Sequence, residues 1–375
     1  MGRQSPATGV ELNLTHMLSC SRHMNASRGI LWALTCLLLT RCAGPVDPAN
    51  PRSATGAFTA DAGDAWATED DADDPSPGGR LCREHKGHDH GHSCRHVARV
   101  AAAGDISPAG LFAQQATSDL IAGAHYDAVL VLGDSQYDRG ELANFNAYFD
   151  PTWGRFKRLI HPVPGNHEYF TTNATGYYEY FGRRAGDPQR GYYSFDLGSW
   201  HVVALNSNDG PCSVVSCDPS SEQLSWLKAD LARNRKKCLL AFWHHPRFSS
   251  GSVHGDNPRV QAFWDTLYAA RADIVLNGHD HLYERFDPQT PTGSADPEGG
   301  IRQFIVGTGG MSHHPFATPK PNSVARDASS FGVLRLELGP ASYDWKFLPA
   351  EPSSFNDEGH GTCHHRPKHD LMSLP

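Results

Sequence analysis

Residues 128–137 read Ala128-Val129-Leu130-Val131-Leu132-Gly133-Asp134-Ser135-Gln136-Tyr137. A run of Val, Leu and Ala closed by Gly has the length and composition of a strand buried on both faces. Beyond its end stand two side chains that can ligate a metal ion, Asp134 and Tyr137. The same pattern recurs along the chain. Val100 to Gly104 leads into Asp105, and Val163-Pro164-Gly165 leads into Asn166-His167-Glu168. Phe242-Trp243 runs into His244-His245-Pro246, and Leu276-Asn277-Gly278 into His279-Asp280-His281. In open α/β sheets ligands bind in the crevice outside the strand carboxyl ends. Taken singly, each motif has a plain structural reading: Gly-Asp is a common turn, and Asn-His a turn with a hydrogen-bonded imidazole. Their joint occurrence, in this order, argues instead for a metal site. In His279-Asp280-His281 the single intervening residue lets two imidazoles serve neighbouring ions.

Working outward, strands are predicted at Tyr192 to Asp196, His201 to Asn206, Cys238 to Trp243, Ile274 to Asn277, Ile301 to Val306, Phe331 to Leu338 and Ser342 to Leu348. Helices are predicted over Gly110 to Gly123, Ser220 to Arg235 and Val260 to Arg271. Strands interleaved with helices predict an α/β layered domain, with extra antiparallel strands toward its end. It spans 98–350, followed by a His- and Cys-containing tail at 351–375.

The N-terminal part is different. From Met24 a basic start, an apolar run Ile30 to Leu39 and a small-residue exit at Ala43-Gly44 have the form of a secretory signal peptide within 1–44. The polar stretch before Met24 lies outside that form, so Met24 is the expected natural start. The run is too short to span a bilayer, which takes roughly 20 residues, so no transmembrane helix is expected in the mature chain. Leu39-Thr40-Arg41-Cys42 is an alternative, a lipoprotein-type site with Cys42 acylated, although Arg41 stands where a small residue is wanted. Residues 45–97 form a tether, acidic at Glu69 to Asp74 and then His-rich from Cys82 to Cys94. The acidic part has too little apolar surface to offset its ordering entropy. The His-rich tract can bind metal, or be a disulfide-closed loop that does so incidentally.

The 375 residues carry a formal net charge of −8, which offers no basic face for nucleic acid, and 39% hydrophobic content, enough for a sizeable core. The 22 histidines are a weak pointer to metal. In an oxidising compartment Cys212 and Cys217 are placed to close a small loop, and Cys82 to pair with Cys94 or Cys363. Cys238, inside an apolar strand, reads as a free buried thiol.

The ordered set Gly-Asp, Gly-Asp-x-x-Tyr, Gly-Asn-His-Glu, a strand ending in His before Pro, and Gly-His-x-His resembles the signature of the purple acid phosphatases. These belong to the calcineurin-like metallophosphoesterases. The likeness runs from about Arg99 to Leu348 and includes Tyr283-Glu284-Arg285 after the last block. It implies a layered metallophosphoesterase fold, two β-sheets flanked by helices, with a dinuclear metal site at the strand carboxyl ends. Asp105, Asp134, Tyr137 and His281 would hold one ion, and Asn166, His244 and His279 the other, with Asp134 shared. The oxygen-rich set suits Fe(III), the other a divalent Zn, Fe or Mn ion. His167 and His254 would face the substrate, and a hydroxide activated by two metals would attack a phosphate monoester. His245 competes with His244 for its place, but a position two before Pro246 favours His244. Two departures stand out: Ser107 replaces a usual Gly after Asp105, and no room exists between 45 and 95 for the β-sandwich of the plant enzymes. The expected partner is a small phosphate ester, with export from the cytoplasm. A phosphodiesterase or nucleotide phosphatase using the same centre is the alternative. A surface metal scavenger using the His-rich tract and His360, His364 and His365 is a second.

Overall fold

A computed structural model describes residues 97–110, 113–208 and 215–364. The signal-peptide, lipidation and tether readings, the His-rich tract and any Cys82–Cys94 or Cys212–Cys217 pairing lie outside them. The strands are β1 (Ala98–Ala103), β2 (Ala128–Leu132), β3 (Ile160–Val163), β4 (Tyr193–Leu197), β5 (Trp200–Ala204), β6 (Cys238–Phe242) and β7 (Ile274–Asn277). They continue with β8 (Tyr283–Gln289), β9 (Ile301–Val306), β10 (Ser323–Asp327), β11 (Gly332–Leu338), β12 (Ser342–Pro349) and β13 (Glu358–Thr362). One sheet has the order β13-β12-β11-β1-β2-β3, the other β10-β8-β9-β7-β6-β5-β4. The layered α/β fold is therefore as expected.

The continuous apolar runs follow from burial on both faces. In β6, Leu240 and Phe242 join the large core that includes residues of β1, β2 and β11, while Leu239 and Ala241 join a second core with Leu224, Leu227, Phe263 and Trp264. Alternate residues of a strand point to opposite faces, so a strand with a core on each side carries no polar alternation. The second core lies against helices Glu222–Arg233 and Gln261–Ala269. The first of these starts where Ser221 Oγ accepts from the Leu224 amide at 3.2 Å, an N-cap beside the acidic Glu222.

β1, β2 and β3 run parallel in one sheet, as do β5, β6, β7 and β9 in the other. Their carboxyl ends are stitched together by backbone bonds. Gly104 N donates to Val306 O at 2.9 Å, Ile106 N to Asp134 O at 3.0 Å, and Gly278 N to His244 O at 3.0 Å. This rim gathers the motif loops of both sheets.

Three features differ from expectation. Cys238 is not a free thiol: it forms a disulfide with Cys363, 125 residues away, which also removes Cys363 as a partner for Cys82. The last residues of the fold return as β13 on β12, so the stretch read as a tail contributes a sheet strand at Glu358–Thr362. The segment after His281 is strand β8, not read as such because its Glu284, Arg285 and Asp287 mask the apolar pattern. Their pairing explains the charges. Arg285 donates to Asp357 through Nε and Nη2, both at 2.9 Å, and Tyr283 Oη donates to Asp357 Oδ2 at 2.7 Å.

Candidate metal centre

Glycines at four of the five strand ends, Gly104, Gly133, Gly165 and Gly278, leave room for the candidate ligand side chains. A side chain at Gly165 would put Cβ 2.1 Å from Asp134 Oδ1, and one at Gly133 would put it 2.5 Å from His244 Nδ1. Asp105, Asp134 and His279 themselves take positive φ of 60°, 46° and 72°, sharp turns that aim their side chains back over the sheet ends.

Two groups of donor atoms result. In the first, Tyr137 Oη lies 2.8 Å from Asp105 Oδ1, 3.0 Å from Asp134 Oδ2 and 3.1 Å from His281 Nε2. In the second, His244 Nε2 lies 3.1 Å from Asn166 Oδ1, 3.2 Å from His279 Nδ1 and 3.3 Å from Asp134 Oδ2. Asp134 Oδ2 is common to both. All seven predicted ligands are thus brought together, in two sets that share one carboxylate.

The chemistry of these atoms fits a pair of cations. His281 Nδ1 donates to Ser312 O at 2.7 Å and His244 Nδ1 to Leu132 O at 2.8 Å, which leaves each Nε2 as a lone pair aimed at the cluster. Around Tyr137 a single phenolic proton stands among three acceptors. Around His244 the neighbours are a carboxylate, an amide oxygen and a second imidazole. Buried acceptors converging in this way require a positive charge between them. A proton meets that need in part. Burial opposes a charge on His244, but Asp134 outweighs it and raises the imidazole to about 9. Burial also works against Asp134, and His244 overcomes it, holding the carboxyl below its usual range. His279 is held well below the ordinary imidazole range by burial and by His245 and His244, which favours its neutral form.

His245 brings a ring nitrogen within 4.8 Å of those of His244 and His279, but its Nδ1 is engaged by Ser207 Oγ at 2.8 Å. The contacts to Asp134 and Asn166 belong to His244. The two predicted substrate-facing histidines flank the cluster. His167 donates its backbone N–H to Asp134 Oδ1 at 2.9 Å and its Nδ1 proton to Asp138 O at 2.6 Å, which leaves Nε2 3.9 Å from Asp134 Oδ2. The ring of His254 lies over that of His279, centroids 4.0 Å apart.

Three supporting residues escaped the sequence reading. Glu168 is buried and accepts four backbone amides: Asp134 at 3.0 Å, Ser135 at 2.8 Å, Gln136 at 3.2 Å and Gly165 at 2.6 Å. It welds the Asp134 loop to the Asn166 loop. Burial and Asp134 push its carboxyl up, to about 8, while the four donating amides favour the charged form. Asp280, between the two histidine ligands, accepts from His254 N at 3.3 Å, Gly255 N at 3.1 Å and Ser249 Oγ at 2.5 Å, and so fixes the loop that carries His254. His314 stacks on His281 with centroids 3.9 Å apart. The Glu of Gly-Asn-His-Glu was the available signal for the first of these. Glu168→Gln is expected to point an NH₂ group at amide donors, at a cost of about 1–3 kcal/mol for each buried group left unpaired. Its urea midpoint should fall and bound metal should be lost more readily; an unchanged midpoint would mean the two loops hold their shape without the carboxylate.

Residues 98–283 match the family model of the calcineurin-like phosphoesterases. They form a domain of that class, and its fold is the one described above. Its homologues include purple acid phosphatases. Purple acid phosphatase 15 of Arabidopsis thaliana is 30% identical over 243 residues, covering 52% of this chain and 44% of the relative. Acid phosphatase type 7 of Homo sapiens is 30% identical over 251 residues, covering 57% of this chain and 55% of the relative. The chain thus spans about half the length of the curated relatives it matches. Among solved structures, the purple acid phosphatase PPD1 from yellow lupin (Lupinus luteus) seeds aligns with a TM-score of 0.56 at 18% identity, over 74% of this chain and 55% of that one. A dimetal phosphatase from Danio rerio aligns at 0.51 and 14% identity, over 71% and 99%. These two show the fold.

Proposed function

We propose that the protein is a metal-dependent hydrolase of phosphate monoesters, of the purple acid phosphatase type. The observation that carries this reading is the pair of acceptor clusters sharing Asp134 Oδ2. Asp105, Asp134, Tyr137 and His281 hold Fe(III), because carboxylate and phenolate oxygens suit that hard ion. Asn166, His244 and His279 hold Zn(II), Fe(II) or Mn(II), with Asp134 as the common ligand. When bound, the two ions supply a nucleophile from water at moderate pH and neutralise charge on the phosphoryl group.

The remaining work falls to the chain itself. His167, with Nδ1 committed to Asp138 O, presents Nε2 to the departing oxygen and delivers a proton to it. His254, on the loop that Asp280 anchors, contacts the phosphate from the other side. Support for export comes from the apolar leader in the sequence and from the Cys238–Cys363 disulfide, a bond that persists in oxidising compartments. Among the described residues no helix is long and apolar enough to cross a membrane. The scavenger alternative loses support. His360 is paired with Asp344 at 2.8 Å and His364 with Asp273 at 3.2 Å, so these two imidazoles go to separate carboxylates.

The test is the colour and metal content of the purified protein, together with turnover of a panel of mono- and diesters. Tyrosinate bound to Fe(III) gives a visible purple to pink charge-transfer band. Tyr137→Phe removes only the phenolic oxygen, so the fold should persist while the band disappears and iron is held less tightly. A colourless, fully active wild type with two zinc or manganese ions would overturn the iron assignment. Faster turnover of diesters than of monoesters would reassign the substrate class.

A further inference from the structure

A second site lies at the far end of β3 from the metal cluster. There the edge strands of the two sheets, β3 and β4, meet over an open groove of about 1130 Å³. Its wall carries Arg155, Lys157, Arg158, Arg183 and Arg184, and no Asp or Glu lines it. In a chain with a net charge of −8 this concentration of cations runs against the overall balance. Arg155 is already satisfied by Asp119 at 2.7 Å, and Lys157 Nζ sits 3.9 Å above the Tyr180 ring. Arg158, Arg183 and Arg184 have no carboxylate partner among the described residues. Burial lowers the Arg184 guanidinium below its ordinary range and the neighbouring Arg158 adds to the effect, so an anion between them would relieve both. The floor is rigid: the His161 and Phe195 rings stack 3.8 Å apart at 12°, joining the two edge strands.

We propose that this groove is a binding site for a small, multiply phosphorylated anion, separate from the metal centre. Guanidinium forks suit phosphate oxygens and hold them bidentately. A single phosphate leaves part of this array unmatched; a ligand with several phosphates in a row spans the two cationic segments. The volume lies just above the ~300–1000 Å³ typical of small-molecule clefts, as fits a groove open to solvent. Compactness is favoured over a polymer because the net negative charge of the chain repels a long polyanion beyond the groove. β3 ends at Val163, before the turn that carries Asn166, and no residue lining the groove belongs to the metal cluster, so the two sites are built from separate side chains.

The probe is the non-hydrolysable bismethylene analogue of inorganic tripolyphosphate, titrated calorimetrically into the full chain at about 0.15 M salt. Arg158→Gln with Arg183→Gln changes two exposed side chains and should weaken binding at least about tenfold; adding Arg184→Gln should bring the loss to roughly 100-fold. Hydrolysis of a small aryl monoester by both variants should stay within about twofold of wild type, since none of the three residues touches the metal cluster. Equal affinity in wild type and the triple variant would refute the site. So would binding that is lost in Asp134→Ala but kept in the triple variant, which would place the anion at the metal centre. Tighter binding of a single-stranded oligonucleotide than of the probe would replace the small ligand with nucleic acid. The outcome is independent of the hydrolytic reading, which stands or falls on Asp134.

Discussion

Asp134→Ala is expected to abolish metal retention and to lower phosphate-ester hydrolysis by at least about 10³-fold, the scale seen when a principal transition-state stabiliser is removed. Asp134 Oδ2 approaches both donor groups, 3.0 Å from Tyr137 Oη and 3.3 Å from His244 Nε2. Its other oxygen accepts the His167 backbone N–H at 2.9 Å, so truncation also releases the residue proposed to protonate the leaving group. The Gly165 backbone is packed so closely against this carboxylate that a cavity, not a substitute ligand, would remain. Metal analysis and kinetics on the same preparation give the answer. A variant that still carries two ions per chain and turns over near the wild-type rate would remove Asp134 from the bridging position, and the shared-carboxylate arrangement with it.

His167→Asn separates proton transfer from metal binding. His167 Nε2 stands 3.9 Å from Asp134 Oδ2, too far for a hydrogen bond, so both ions should remain. Asn preserves the backbone donor to Asp134 but has no titrating nitrogen. The rate should fall by roughly 10²–10⁴-fold, the usual contribution of a positioned acid or base. The loss should be smaller for aryl phosphates than for alkyl phosphates, because a good leaving group needs less help from a proton. Equal losses on both substrate types would assign His167 to binding instead of protonation. Loss of metal would make it part of the ligand scaffold.

The physics behind both predictions is the same. The clusters consist of buried acceptors, and the protein keeps them converged through outer partners: Leu132 O for His244, Ser312 O for His281 and the four-amide grip of Glu168. Such partners fix the orientation of metal-ligating side chains. Glu168→Gln therefore tests whether the scaffold stands without its central carboxylate, while Asp134→Ala tests the site built upon it.

The sequence by itself determined the strands and what stands at their ends. Apolar runs such as Ala128 to Leu132 are local signals, and a Gly followed by Asp, Asn or His is a local signal too. Together they were enough for the layered α/β class and for a candidate metal site at the strand ends; the full set Asp105, Asp134, Tyr137, Asn166, His244, His279 and His281 came from the resemblance of the ordered motifs to the purple acid phosphatases. Tertiary structure decided whatever depended on distant segments meeting. Cys238 looked like a core thiol because its own strand is apolar; only the return of the chain as β13 brings Cys363 to it across 125 residues. Glu284, Arg285 and Asp287 hid β8 because charge in a strand is unreadable until partners such as Asp357, Ser250 and Arg302 are known. The structure distinguishes His244 from His245 by their partners: Leu132 O engages Nδ1 of the first, whose Nε2 faces Asp134, and Ser207 Oγ engages Nδ1 of the second. The cationic groove was invisible in a chain of net charge −8, because its arginines come from two segments that the β3 and β4 edges bring together. Periodicity and turn chemistry are set by neighbours in the chain, whereas pairing of charges, thiols and ring nitrogens is set by neighbours in space.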